Sequence, residues 1–308
     1  MTAEQQRSWE EDGVIVIEDF FESSELEALL AAVDRVKATV EASGAVDAEH
    51  GFAIRNLVEY DDAFLELIDH PRMLPLVVDA FGANIQLRTS HLDYRPPYPD
   101  AVQAELRNNL QPDPSANAVP GARNVGWHPD LSGLFAEASH DDVLPMMEIK
   151  AYYTLSDTRE SNCGNLWLVA GSFKRKTSEL TDWKSSGTSE PPPGAMELRL
   201  PPGAAVLWRT GCWHCVGPQL GTQTRKIIHI GYQHRWLRPT DFMEQDPALL
   251  ARCSPIRQQL LGAVPSGAVM GANEFEPTSA YYRMHDADVP LKVWAEEQQQ
   301  QRQQSAKL

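Results

Sequence analysis

The chain has 308 residues, 42% of them hydrophobic, with 43 acidic against 27 basic side chains and a formal net charge of −16. That length can bury one large core and favours a single elaborated domain, here residues 1–297. The acidity argues against a nucleic-acid partner, which needs a basic footprint, and no apolar stretch is long enough for a membrane span.

In chain order, Glu4 to Asp12 reads as a short helix ended by Gly13, and Val14-Ile15-Val16-Ile17 as a β-branched strand. Ser24-Glu25-Leu26-Glu27 has the form of a capping box. Leu26, Leu29, Leu30, Val33 and Val36 then keep helical spacing to about Thr39. Helical pattern returns from Asp61 to Phe81, broken at Pro71 and stopped by Gly82. Ile85 to Tyr94 reads as strand. Pro99 to Arg123 carries several prolines and no period, so a loop is expected.

Strand-like runs follow at Met146–Leu155, Leu166–Val169, Ala204–Trp208, Trp213–Val216 and Lys226–Gln233, separated by turn signals such as Pro201-Pro202-Gly203. Short strands at such intervals predict a mainly β fold with flanking helices, a barrel or double-sheet jelly roll. Short helices are expected at Pro247–Ala251 and Pro255–Leu261. The Gln-rich residues 298–308 are expected to be a disordered tail. The opening Met1-Thr2-Ala3-Glu4 lacks a signal-peptide pattern, so a cytoplasmic location is the expectation. The final Ala306-Lys307-Leu308 is close to a peroxisomal address, which a eukaryotic cell would read.

The chemistry-bearing residues are His128-Pro129-Asp130, His214 and Arg225. Two imidazoles and one carboxylate can occupy one face of iron(II) and leave the other open. His128 and Asp130, two apart on a strand, would point to one side, with His214 arriving from another strand. The guanidinium of Arg225 can grip a carboxylate through two hydrogen bonds. The bland alternatives are a proline turn at His128–Asp130, a core histidine at His214 and a solvated strand end at Arg225. His229 shares its strand face with Arg225. Cys212-Trp213-His214-Cys215 invites a zinc reading, but no second ligand pair has the usual spacing, so Cys163, Cys212, Cys215 and Cys253 are read as structural thiols.

Taken together, these pieces resemble the phytanoyl-CoA dioxygenase family of iron(II)- and 2-oxoglutarate-dependent oxygenases over residues 8 to 236. The resemblance is carried by Glu11-Asp12-Gly13-Val14-Ile15, by Phe81-Gly82-Ala83-Asn84-Ile85 leading to Arg95-Pro96-Pro97, and by Trp127-His128-Pro129-Asp130-Leu131. It continues in Asn162-Cys163-Gly164-Asn165-Leu166 through Ala170-Gly171-Ser172, and in His214 followed eleven positions on by Arg225. It departs from the family pattern at Val216, where a serine is frequent, and at Ala170 and Phe173.

The resemblance implies a double-stranded β-helix of the cupin-like kind. It implies that His128, Asp130 and His214 bind Fe(II), with 2-oxoglutarate and O2 as co-substrates, and that Arg225 holds the distal carboxylate of 2-oxoglutarate. Arg55 and Tyr152 fall where relatives contact the co-substrate, and Leu166 would line its pocket. Asp130 fills the place that a small residue takes in the related halogenases, which argues against halogenation. The expected partner is a small-molecule substrate, largely apolar or a natural product. Tyr94, Tyr98, Trp127, Leu131, Leu134, Phe135 and Trp236 supply apolar surface for it. The alternatives are 2-hydroxylation of a fatty acyl-CoA, or a cupin-like metal protein with other chemistry, which would have no use for Arg225. The oligomeric state is not readable.

Overall fold

The structure is a computed structural model that describes residues 1–44, 51–117, 126–130, 143–269, 271–273, 276–280, 283–284 and 289–305. Two antiparallel sheets form its centre. The larger has the strand order β1-β7-β4-β9-β3-β2. Its strands are β1 (Val14–Ile17), β2 (Phe52–Arg55), β3 (Ile85–Arg95), β4 (Glu148–Thr154), β7 (Ala205–Arg209) and β9 (Arg225–His234). The smaller has the order β6-β5-β8, from β5 (Leu166–Val169), β6 (Ala195–Glu197) and β8 (His214–Val216). This is the jelly roll expected from the strand pattern.

Period-2 alternation gives the large sheet two unlike faces. On one face, Ile149, Ala151 and Tyr153 of β4 and Ile228, Ile230 and Tyr232 of β9 enter the main core. Against them pack α2 (Ser23–Ala42), through Leu29, Val33 and Val36, and α4 (Leu74–Phe81), through Leu74 and Val77. Each such buried side chain contributes roughly 1.5–3 kcal/mol. The other face carries Glu148, Lys150 and Tyr152 of β4, and Arg225, Ile227 and His229 of β9. There Tyr152 and Ile227 pack with Leu166 and Leu168 of β5 and Trp208 of β7 in a second cluster. Lys150, Arg225 and His229 point to this inner face, which meets the smaller sheet that carries His214.

The elements differ from expectation at a few places, each with a local cause. Asp100–Asn108 is a helix rather than loop, because Pro99 occupies the N-cap and Ala101, Ala104, Glu105 and Leu106 are strong helix formers. At the start of α2 it is Glu25, not Ser24, that caps: its carboxylate accepts from Glu22 N–H at 2.9 Å. The Gln-rich run up to Ser305 is part of the helix Pro290–Ser305, where a disordered tail is expected from residue 298. Glutamine is a good helix former, and Leu291 and Trp294 anchor that helix on the core. Strands β2 and β6 are too short to announce themselves by alternation. Ala306-Lys307-Leu308 lies outside the described residues. Among the described residues no helix is long and apolar enough to cross a membrane.

Candidate active site

His128, Asp130 and His214 come together, with one ligand atom from each lying within 4.8 Å of the others. His128 Nε2 is 3.7 Å from Asp130 Oδ1, and His214 Nε2 is 3.7 Å from Asp130 Oδ2. The backbone arrangement is not the simple strand that the spacing implied. His128 and His214 form an isolated antiparallel bridge, each N–H donating to the other's carbonyl, at 3.0 and 2.9 Å. Asp130 follows in a turn, and its N–H donates to the Thr210 carbonyl at 2.9 Å.

The residues before the two histidines, Trp127 and Trp213, are buried in one small core with Val169, Leu180 and Cys215. Trp127 also donates from Nε1 to Asp113 Oδ1 at 2.8 Å. Each imidazole is thus carried one residue beyond an anchored indole.

Both rings are oriented by their own backbone. Nδ1 of His128 lies 2.7 Å from the Gly126 carbonyl, and Nδ1 of His214 lies 2.8 Å from the Cys212 carbonyl. A carbonyl only accepts, so each Nδ1 carries the proton and each Nε2 presents its lone pair. Burial pushes the His214 imidazole down to about 4, so it is neutral at ordinary pH, the form that binds a metal. Burial alone would raise the Asp130 carboxyl, but Lys150 and His214 outweigh it and keep it well below the usual range. Lys150 Nζ donates to Asp130 Oδ2 at 2.7 Å.

Arg225 is almost fully buried, and its Nε and Nη1 have no hydrogen-bond partner. Its Nη2 meets the Tyr152 hydroxyl at 3.5 Å, and Nη1 lies 3.9 Å from Asp93 Oδ2. A buried guanidinium with unused donors is costly unless an anion completes it. Donors on Nε and Nη1 remain to receive an incoming carboxylate.

Gly164, at φ 71°, makes room for this side chain. A Cβ there would stand 2.5 Å from Arg225 Cδ. Gly164→Ala is therefore expected to displace Arg225 and weaken 2-oxoglutarate binding by about tenfold or more. Metal binding should be unchanged, and titration of the metal-loaded protein with 2-oxoglutarate checks this. Leu166 lies beside Tyr152 in the second core cluster, opposite Val216 of β8. Arg55 does not join these groups. It lies on β2 at the edge of the sheet and donates to Thr89 Oγ1 at 3.0 Å and to His91 Nδ1 at 3.1 Å.

His91, Asp93 and His229 form a second group with donor atoms within 4.8 Å of one another. The sequence reading noticed only His229. The missed signal is a second His-x-Asp, His91-Leu92-Asp93, on the strand that pairs with β9 and sets His91 opposite His229. The two triads differ in ring geometry. His91 and His229 are stacked, 4.2 Å apart and 11° from parallel, whereas His128 and His214 are tilted by 47°. Ring-nitrogen lone pairs lie in the ring plane, so near-parallel rings cannot aim at one ion, whereas tilted rings can. Arg55 can only donate, so His91 Nδ1 accepts and its Nε2 carries the proton. The group is a hydrogen-bonding array. Trp208 connects it to the triad, with ring centroids 5.9 Å from His214 and 6.1 Å from His229.

Of the apolar residues expected to face substrate, Trp127 and Tyr94 are committed to cores, and Trp236 is exposed and stacked on His234. Leu131, Leu134 and Phe135 lie outside the described residues. Cys212 and Cys215 are buried in different clusters, and burial pushes the Cys212 thiol up to about 12. Among the described residues no cysteine joins a metal-donor group.

A jelly roll that gathers two imidazoles and a carboxylate, and buries a guanidinium with unused donors, defines a 2-oxoglutarate-dependent non-haem iron dioxygenase. Its cofactor is Fe(II), and 2-oxoglutarate and O2 are co-substrates. The family model for phytanoyl-CoA dioxygenase (PhyH) matches residues 9–227, and the chain belongs to that family. It is 25% identical over 258 residues to a "Probable alpha-ketoglutarate-dependent hypophosphite dioxygenase" of Stutzerimonas stutzeri, spanning 75% of this chain and 78% of that protein. Alpha-ketoglutarate is 2-oxoglutarate. Among solved structures, HygX from Streptomyces hygroscopicus, with nickel and 2-oxoglutarate bound, aligns with a TM-score of 0.56 at 18% identity, over 80% of this chain and 90% of that one. The carbocyclase SnoK from nogalamycin biosynthesis aligns with a TM-score of 0.56 at 15% identity, over 80% and 94% of the two chains. At these identities the structural likeness speaks for the fold alone.

Proposed function

We propose that His128, Asp130 and His214 hold Fe(II), that Arg225 anchors the distal carboxylate of 2-oxoglutarate, and that the enzyme hydroxylates an unactivated C–H bond of a small, natural-product-scale molecule. The balance is one C–H bond, O2 and 2-oxoglutarate giving one C–OH, succinate and CO2. Bound iron and 2-oxoglutarate supply the oxidising chemistry.

The chain's own residues do the rest. The Gly126 and Cys212 carbonyls fix the two imidazoles as neutral donors. Gly164 keeps Arg225 seated, Tyr152 steadies its outer nitrogen, and Leu166 gives the co-substrate an apolar wall. The His91–Asp93–His229 array, with Arg55 behind it, adjoins the Arg225 end of the site through Asp93 and offers hydrogen bonds to polar groups bound there. Arg55 reaches that end of the site through His91 in this reading. An intracellular location goes with it.

The observation that carries the reading is the pairing of a compact His–Asp–His donor set with a buried guanidinium that has two unused nitrogens. A cupin-like metal protein without a keto acid leaves that guanidinium uncompleted. The test is anaerobic addition of Fe(II) and then 2-oxoglutarate, watching for the visible charge-transfer band of the chelate. A substrate screen read by succinate release follows. Folded, iron-loaded protein that gives no band would refute the assignment.

A further inference from the structure

The inner face of β4 holds two charges that the reaction as proposed does not use. Lys150 is 12% exposed and Glu148 has no exposed side-chain surface. Both face inward because Ile149 and Ala151, the alternating residues, fill the main core. Lys150 donates to Asp130 Oδ2, and Glu148 forms an ion pair with Arg88. Arg88 falls where the β3–β9 register shifts between Leu87 and Thr89, a bulge that frees it from the pairing pattern. Gly231, opposite, leaves the space that the Glu148 carboxylate fills, since a Cβ there would stand 2.5 Å from Glu148 Oε1. Thr210 ties this array to the ligand turn: its hydroxyl donates to the Glu148 carbonyl, and its own carbonyl accepts from Asp130 N–H, both at 2.9 Å.

Charges therefore alternate from Arg88 through Glu148 and Lys150 to Asp130. Taking four charges out of water costs more than their pairing returns in most settings, so such an array is weak evidence of stability. What it does achieve is to occupy one specific oxygen of one carboxylate. A free carboxylate can bind a metal through one oxygen or both. Binding through both would take a position from the open face that the co-substrate needs.

We propose that Lys150 is a positioning residue of the metal centre. Its ammonium holds Asp130 Oδ2, so that the carboxylate gives the metal a single oxygen and the open face stays available to 2-oxoglutarate. Glu148, held by Arg88, adds a nearby negative charge that favours the ammonium. This rests on the assignment of Asp130 as a metal ligand.

The test uses Co(II) as the probe metal, in wild type, Lys150→Met and Lys150→Arg, with thermal unfolding to establish folding. In Lys150→Met, Co(II) should still bind stoichiometrically, its visible spectrum should change as the second oxygen coordinates, and 2-oxoglutarate should bind about tenfold or more weakly. Lys150→Arg, which keeps a cation beside Asp130, should recover part of both. If Lys150→Met does not fold, the pair Glu148→Gln/Lys150→Met removes opposite charges together and gives the same readouts. A folded variant with the wild-type spectrum and wild-type 2-oxoglutarate affinity would overturn the proposal. Wild-type protein that takes up no Co(II), or Asp130→Ala that takes it up unchanged, would instead sink the ligand assignment.

Discussion

Asp130→Ala will abolish iron-dependent turnover and weaken metal binding by more than ~100-fold. The carboxylate is the only anionic group of the three donors, and it lies 3.7 Å from both ring nitrogens that share the metal with it. Its loss also leaves the Lys150 ammonium without its hydrogen-bonded partner beside the two histidines, so the site turns from neutral to cationic. Backbone geometry should survive, because the His128–His214 bridge and the Asp130 N–H bond to Thr210 do not involve the side chain. Titration of folded protein with Fe(II) under argon, together with succinate release, measures both effects. Full activity in this variant would rule out the triad.

Arg225→Ala will separate co-substrate binding from metal binding. The 2-oxoglutarate dissociation constant should rise on the order of 100-fold, equivalent to about 2–3 kcal/mol for a charge-assisted pair in a buried setting. Fe(II) affinity should stay close to wild type, because no described contact links Arg225 to the three donors. Arg225→Lys should recover only part of the loss, since an ammonium cannot reproduce the paired N–H geometry. The anaerobic charge-transfer titration gives both constants. An Arg225→Ala protein that binds 2-oxoglutarate as tightly as wild type would place the distal carboxylate elsewhere.

The grouping of His128, Asp130 and His214 and the choice of Arg225 were legible in the sequence because chemistry and order constrain them together: a His-x-Asp, a distant His after a buried strand, and an Arg opening the next strand. The His-x-Asp spacing does not work through strand alternation, since Asp130 lies in a turn and not on a strand. Lys150 and Glu148 were not legible. Alternation along Glu148-Ile149-Lys150-Ala151 gives one polar and one apolar face, and a polar face ordinarily meets water. Here the helices cover the apolar face, and the polar face turns toward the second sheet, which strand periodicity alone does not reveal. His91 and Asp93 were missed for a related reason: their partner His229 is set by β3–β9 pairing across more than a hundred residues of chain. Arg55 was placed at the co-substrate by family likeness alone; β2 pairs with β3 and brings it to His91, a contact that no spacing in the sequence announces.

The reciprocal backbone bonds between His128 and His214 have one more consequence. The two imidazoles are brought together when the main chain folds, and their tautomers are set by carbonyls of their own loops. Most of the entropy lost in gathering the ligands is therefore spent before any ion arrives. Loading such a centre is a matter of stripping water from the incoming cation rather than of rearranging the polypeptide. A descendant of this chain could lose or exchange a donor side chain and still fold, which leaves the scaffold free to change its chemistry one residue at a time.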